Sequence, residues 1–257
     1  MIRSDLAEDL AITCGRTLLE MLPGDYDTYT KSSFSDLVTE ADLKCQQFIT
    51  DAILHHFPDD GVLAEEEFNR DSDSGWIWIV DPLDGTTNFA HHMPFFCVSI
   101  ACYFKDRAEI GVINAPYQRE FFKTIKGQGV RMNGRPVSVS NRESLAVSMM
   151  ATGFPYDRHI SKDDNISHFI NFTKRTHAVR RFGSAALDLA YVACGRLDGY
   201  WELKLKPWDV AAGVMMVEEA GGKVTGYKGE PYSIYSPLIV ASNTLIHDSI
   251  LKILELQ

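Results

Sequence analysis

The stretch WIWIVDPLDGTTNF, from Trp76 to Phe89, sets Asp81 and Asp84 on either side of Pro82-Leu83 and follows them with a glycine and two hydroxyls. Like charges held that close need a positive charge between them. A hard divalent cation with all-oxygen ligands, Mg²⁺ first among them, is the usual answer. Gly85, Thr86 and Thr87 then offer backbone N–H groups and hydroxyls at a prospective helix start, where phosphate can bind. A metal and a phosphate would share one turn. Asp-Pro and Asp-Gly are also ordinary turn formers, and an isolated DPxDG is most often only a turn after a strand. The added TTN and the apolar strand ahead of it favour the chemical reading.

Other carboxylates stand in comparable places. Val62-Leu63-Ala64 reads as a short strand delivering Glu65, Glu66 and Glu67. A triple acid run is ordinarily a solvated face, but neighbouring strand ends are where α/β and α+β proteins place ligands, so one glutamate is expected to be a metal ligand. Thr39-Glu40-Ala41-Asp42 matches a capping box, which leaves Asp42 either a cap or, if this helix start faces the DPLDG turn, a group that positions water or joins the metal shell. Asp209, in KPWDVAAGVMMVEEAGG, follows Pro207 at a helix start and can be a cap. It is also the third carboxylate that a second metal would need, after a strand ending in Glu202. Gly183-Ser184, at the start of a helix predicted over Ser184–Arg196, can present backbone N–H groups and a cap hydroxyl. His91 and His92 have no spaced partner and receive no role.

The elements that must position these groups follow from periodicity. Trp76 to Val80 is apolar at every position, which suits a strand covered on both faces, ended by Asp81 and followed by a sharp turn. Ile2, Leu6, Leu10, Cys14 and Leu18 recur four apart, so Ile2 to Leu22 is an amphipathic helix stopped by Pro23-Gly24. After a polar loop containing Lys31, DLVTEADLKCQQFITDAILHHFP predicts a second helix with Phe48, Ile49, Ala52, Ile53 and Phe57 on its apolar side. Residues 95–139 alternate apolar runs with tight polar breaks, as an antiparallel meander does. Beyond it come a strand over Leu145–Ala151, a helix over Ile166–Thr173 and a strand at LDGYWEL. The polar break near Asn141 divides the chain into an N-terminal α+β half, residues 1–143, with most metal ligands, and a C-terminal α/β half, residues 144–257, with substrate-binding residues and Asp209.

Composition narrows the partners. The 257 residues, 45% hydrophobic, suffice for a substantial core. A net charge of −10 without any basic block argues against direct nucleic-acid binding. No apolar run is long enough for a bilayer and no leader pattern opens the chain, so a cytoplasmic location and no membrane contact are expected. The five cysteines are scattered without metal spacing and are expected as reduced, mostly buried thiols.

DLVTEAD, DPLDGTTNF, RRFGSAALDLAYVACGRLDGYWE and KPWDVAAGVMMVEEAGG, in that chain order, resemble the signature blocks of the inositol monophosphatase family of lithium-sensitive, Mg²⁺-dependent phosphomonoesterases. Bacterial members are the most similar, over nearly the whole chain. The resemblance implies a layered α-β-α-β-α sandwich of the inositol monophosphatase/fructose-1,6-bisphosphatase type, usually a homodimer, with two or three Mg²⁺ per site. By that resemblance Glu65, Asp81 and the backbone carbonyl of Leu83 hold one ion, and Asp81, Asp84 and Asp209 another. Asp42 and Thr86, with Glu65, form the catalytic group that orients the attacking water, and Lys31 lies near the site. Gly85 and Thr86 would meet the phosphate; Gly183, Ser184, Ala185 and Glu202 would meet the alcohol, with Asp84 and Asp209 also touching substrate. Ala64 stands where the family often has glycine before its paired acids, which leaves the choice between Glu65 and Glu66 open.

The implied reaction is hydrolysis of a small phosphate monoester, inositol 1-phosphate first, by a metal-activated water without a covalent intermediate. Glu202 favours a phosphorylated polyol, because a carboxylate accepts hydrogen bonds from hydroxyls. Related phosphatases acting on fructose 1,6-bisphosphate, histidinol phosphate or 3′-phosphoadenosine 5′-phosphate are the alternatives. From another class, a regulatory protein that binds transcription machinery is the competing expectation.

Overall fold

The computed structural model describes residues 2–24, 26–31 and 36–256, so residues 32–35 of the polar loop after Lys31 lie outside it. Among the described residues the helices are α1 (Arg3–Met21), α2 (Glu40–His56), α3 (Thr86–Ala90), α4 (Ile166–Thr173), α5 (Ala185–Ala193), α6 (Pro207–Glu219) and α7 (His247–Leu254). A small hairpin pairs β1 (Thr28–Thr30) with β2 (Leu37–Thr39). The main sheet has eight strands: β3 (Gly61–Ala64), β4 (Phe68–Arg70), β5 (Trp76–Asp84), β6 (Cys97–Phe104), β7 (Arg107–Ala115), β8 (Glu120–Ile125), β9 (Val130–Met132) and β10 (Arg135–Val137). The second sheet has five: β11 (Met149–Thr152), β12 (Ala178–Arg180), β13 (Gly199–Leu203), β14 (Lys223–Thr225) and β15 (Leu238–Ser242).

The sheets stack with helices in five layers, as the side chains of β5 show. Trp78 and Val80 point into a core shared with Leu6, Leu10 and Cys14 of α1 and Cys45, Ile49 and Ile53 of α2. Ile79, on the alternate face, enters a core shared with Leu187 and Leu189 of α5 and Val210 and Val214 of α6. That middle helix layer also packs on Tyr200 and Ala241 of the second sheet. Phe172 of α4 and Ile250 of α7 cover the outer face, against Trp201 and Val240. The result is the expected α-β-α-β-α sandwich. Both faces of β5 are covered because period-two alternation sends successive residues to opposite helix layers.

Strands β6 to β10 form the expected antiparallel meander, with β3 joining β5 in parallel. In the second sheet β11 runs parallel to β12 and β13, while β15 is antiparallel to β13 and β14. No helix among the described residues is long and apolar enough to cross a membrane. Cys14, Cys45, Cys97 and Cys102 are buried free thiols, and Cys194 is half-buried.

Several local expectations change. The strand does not end at Asp81 but continues to Asp84 through a bulge: Asp81 pairs with Ser99, whereas Asp84 pairs with Cys97. One extra residue on β5 therefore sits where Pro82, which has no N–H to give, can be tolerated. Leu37–Thr39 is a strand and the helix begins at Glu40, after its cap. Phe48 is 46% exposed, because the buried stripe of α2 runs through Ala41, Cys45, Ile49 and Ile53 instead. Leu145–Val147 is a short 3₁₀ turn, with the strand starting only at Met149.

Candidate active site

The bulge in β5 presents the first two carboxylates. Asp81 is buried and accepts a hydrogen bond from the backbone N–H of Leu83 at 3.0 Å, which stiffens the bulge. Gly85 follows at φ 100°, and a Cβ there would come within 3.0 Å of the Phe95 carbonyl oxygen, so only glycine suits the step into α3. Asp84 reaches into the second half of the chain. Its Oδ2 accepts from the Ser184 hydroxyl and from the Ala186 N–H, both at 2.7 Å. Ser184 therefore does not cap α5 with its side chain; Asp84 supplies that acceptor from another strand.

Asp42 closes the cap and also faces the DPLDG turn. Its Oδ2 accepts from the Thr39 N–H at 2.8 Å and from the Thr39 hydroxyl at 2.5 Å, closing the capping box. Its Oδ1 accepts from the Thr86 hydroxyl at 2.9 Å, 44 residues along the chain. The Thr86 hydroxyl is equally close, 2.9 Å, to the Leu83 carbonyl oxygen. Having one proton, it can serve only one acceptor at a time.

Lys31 pairs with Glu65 at 2.8 Å and with Glu66 at 2.5 Å. Glu66 is further anchored by its backbone N–H to Gln46. Burial pushes the Glu65 carboxyl above its usual range against the pull of Lys31. Asp209 sits in the first turn of α6, where its Oδ2 accepts the Lys206 N–H at 2.7 Å. Lys206 is not a side-chain cap, since an ammonium has no acceptor.

Electrostatics ties these groups together. Burial pushes the Asp81 carboxyl well above the usual range, and Glu65, Asp84 and Asp209 push it further. Burial, then Glu65 and Asp84, do the same to Asp209. Burial raises Asp84 to about 6 despite the Ser184 and Ala186 hydrogen bonds, and raises Asp42 to about 6 against those from Thr39 and Thr86. Glu202 is lifted to about 7 by burial, although the Tyr200 hydroxyl donates to it at 2.5 Å and Arg181 lies near.

A cavity of about 260 Å³ opens on this cluster. Lys31, Glu65, Asp84, Gly183, Ser184, Ala185, Glu202 and Asp209 all line it. Asp42, Asp81, Leu83 and Thr86 are buried and do not line it. Eight of the expected residues thus meet at one cavity, whereas Gly85 and Glu66, like those four, do not line it. Among the described residues no three His, Cys, Asp or Glu side chains already converge as a finished metal site. The carboxyls instead satisfy themselves on Lys31, Ser184, Ala186 and Lys206. The donor set still suits a hard cation: it is all oxygen, and its members raise one another's pKa values, a penalty that a bound divalent charge would relieve.

Two contributors escaped the sequence reading. Gly153 lies against Glu202, where a Cβ would fall 2.0 Å from Oε1. Asp188, 1% exposed on α5, lines the cavity with Oδ1 unpartnered among the described residues. A lone carboxylate in the apolar run AALDLAYVA was the available signal for Asp188. Gly153 gave none.

Residues 4–256 match the family model described as the inositol monophosphatase family. A protein of Synechocystis sp. named inositol-1-monophosphatase is 41% identical over 247 residues, covering 96% of this chain and 86% of its own. One from Pseudomonas aeruginosa named Nus factor SuhB is 40% identical over 236 residues, covering 90% of this chain and 87% of its own. A solved inositol monophosphatase from Anabaena (Nostoc) sp. superposes with a TM-score of 0.89 at 42% identity, over 98% of this chain and 94% of that one.

Proposed function

The chain belongs to the inositol monophosphatase family of metal-dependent phosphatases, and from that premise we propose that it hydrolyses the phosphate monoester of a small polyol, inositol 1-phosphate first, using Mg²⁺. One observation carries this reading. Carboxyls from β5, the end of β3 and the start of α6 press together beside a cavity whose wall holds a buried glutamate.

Glu65, Asp81, Asp84, Asp209 and the Leu83 carbonyl would hold the ions. Glu65 is favoured over Glu66 because Asp81 and Asp209 both feel its charge first, and because it lines the cavity while Glu66 does not. Bound Mg²⁺ supplies charge neutralisation for the phosphoryl oxygens, acidification of a water and stabilisation of the leaving alkoxide.

This chain's own residues do the rest. Above about pH 6 Asp42 is ionised and accepts the hydrogen bond of the Thr86 hydroxyl, so that as the attacking water gives a proton to the Thr86 oxygen, the Thr86 proton would pass to the Asp42 carboxylate. The same choice frees the lone pairs of the Leu83 carbonyl. At the start of α3 the N–H groups of Thr86 and Thr87 have no intrahelical acceptor and suit a phosphoryl oxygen. Glu202, held by Tyr200 and given room by Gly153, accepts hydroxyl hydrogen bonds from the alcohol.

The test is phosphate release with Mg²⁺ across inositol 1-phosphate, fructose 1,6-bisphosphate, histidinol phosphate and 3′-phosphoadenosine 5′-phosphate. The inositol ester should give the highest kcat/KM, and preference for histidinol phosphate or the nucleotide would reject that substrate. Contact with transcription machinery is a second reading, supported by the name of the Pseudomonas relative. It takes precedence if no monoester is hydrolysed. Family membership also supports a homodimer and a cytoplasmic location, the former to be checked by light scattering.

A further inference from the structure

Two carboxylates away from the catalytic cluster, Asp106 and Glu218, have neither an ion pair nor a side-chain hydrogen bond among the described residues. Both line one cavity of about 400 Å³, Asp106 from the turn between β6 and β7 and Glu218 from the last turn of α6. Among the described residues no lysine, arginine or histidine lines it, so its formal charge is uncompensated. Burial and the adjacent Glu219 hold the Glu218 carboxyl above its usual range, as expected of an acid without a counter-charge.

Three tyrosines complete the wall, Tyr103 of β6 with Tyr232 and Tyr235 of the loop between β14 and β15. The Tyr103 hydroxyl donates to the Ala211 carbonyl at 3.3 Å, and the Tyr232 hydroxyl is buried away from the cavity. These two therefore contribute ring carbon. Tyr235 is 66% exposed and stands at the rim. Burial raises the Tyr103 pKa, and Glu218, Tyr232 and Tyr235 raise it further, so carboxylate and rings crowd the same space.

That combination selects one chemistry. Two carboxylates repel an anion, and a hard metal ion, which takes six or more oxygens, would find no third acid in the lining. An organic ammonium ion uses both kinds of wall, since the carboxylates meet its charge and aromatic rings attract its polarised C–H groups. We propose that this cavity binds a small organic ammonium ion, at a site separate from the catalytic one. Its volume lies within the roughly 300–1,000 Å³ usual for small-molecule pockets, and no described residue lines both cavities.

Both cavities are acidic, so the test must tell them apart. Choline, and separately putrescine, is titrated calorimetrically into the full-length protein in saturating Mg²⁺ at constant ionic strength. Saturable binding of at least one probe is expected. Glu218→Gln removes the charge and should weaken it by about tenfold, and Tyr235→Ala removes the rim ring and should weaken it by about fivefold. Both side chains are exposed, so each variant should melt where the parent does. Asp209→Asn, in the other cavity, should leave the affinity unchanged. Absence of saturable binding for both probes, or unchanged affinity in either Glu218→Gln or Tyr235→Ala, overturns the proposal. So does loss of binding in Asp209→Asn, which would place the cation on the catalytic acids.

Discussion

Replacing Asp209 with asparagine separates two contributions of one carboxyl. The first is the hydrogen bond from the Lys206 N–H to Oδ2, at 2.7 Å, which an asparagine oxygen reproduces, so α6 should stay capped. The second is charge, which asparagine lacks. Burial, Glu65 and Asp84 raise the Asp209 pKa well above its unfolded value. A group shifted in that direction stabilises the fold while protonated and loses that contribution as pH rises through the folded pKa. Near pH 8 the metal-free variant, which lacks that buried charge, should therefore be more stable than wild type. Turnover should move the other way, with kcat down by about 10²-fold or more through lost electrostatic stabilisation. Urea unfolding with chelator and phosphate release across a Mg²⁺ series measure both. A variant fully active at limiting Mg²⁺, or one less stable than wild type when metal-free, would refute the assignment of Asp209 as an ion-holding carboxylate rather than a plain cap.

Three further outcomes are expected. Asp42, Asp84 and Glu202 have folded pKa values raised to about 6, 6 and 7, so the chelated protein should lose stability from about pH 4 to 7 and regain it with Mg²⁺. Melting temperatures that rise with pH over that window in chelator would contradict this. Lys31→Gln removes the cation that pairs with Glu65 and Glu66, and calorimetry should show Mg²⁺ binding tightened by up to about tenfold; weaker binding would show that Lys31 supports the metal instead of competing with it. Gly153→Ala drives a Cβ into the Glu202 carboxylate, so KM for a polyol phosphate should rise by about tenfold or more while an aryl phosphate changes little, and equal effects on both would deny Glu202 a role in the alcohol site.

What could be read from the chain beforehand depended on how local each signal was. The Asp81–Thr86 segment was legible because an apolar strand, a proline, a glycine and paired acids lie within a few residues. Even so, the bulge itself was hidden, since a strand carried past a proline depends on the register of β6, which no local pattern encodes. Asp42 looked like a choice between capping its helix and facing the DPLDG turn, yet a carboxylate has two oxygens, and one takes Thr39 while the other takes Thr86. Ser184 looked like a cap because hydroxyls before helices usually are. Its partner turned out to be Asp84, a hundred residues earlier, a pairing that only the stacking of both sheets on α5 and α6 creates. Phe48 shows the same limit: periodicity located α2 but placed its apolar face too wide.

The central claim is that the acids gathered between β3, β5 and α6 serve a metal-dependent attack of water on a phosphate monoester. Phosphate release from inositol 1-phosphate by the purified wild-type protein, measured while Mg²⁺ is titrated from zero in chelator, tests it most directly. Turnover should be absent without metal and rise saturably with Mg²⁺. Release that proceeds undiminished in chelator, or none at any Mg²⁺ concentration, would contradict the account.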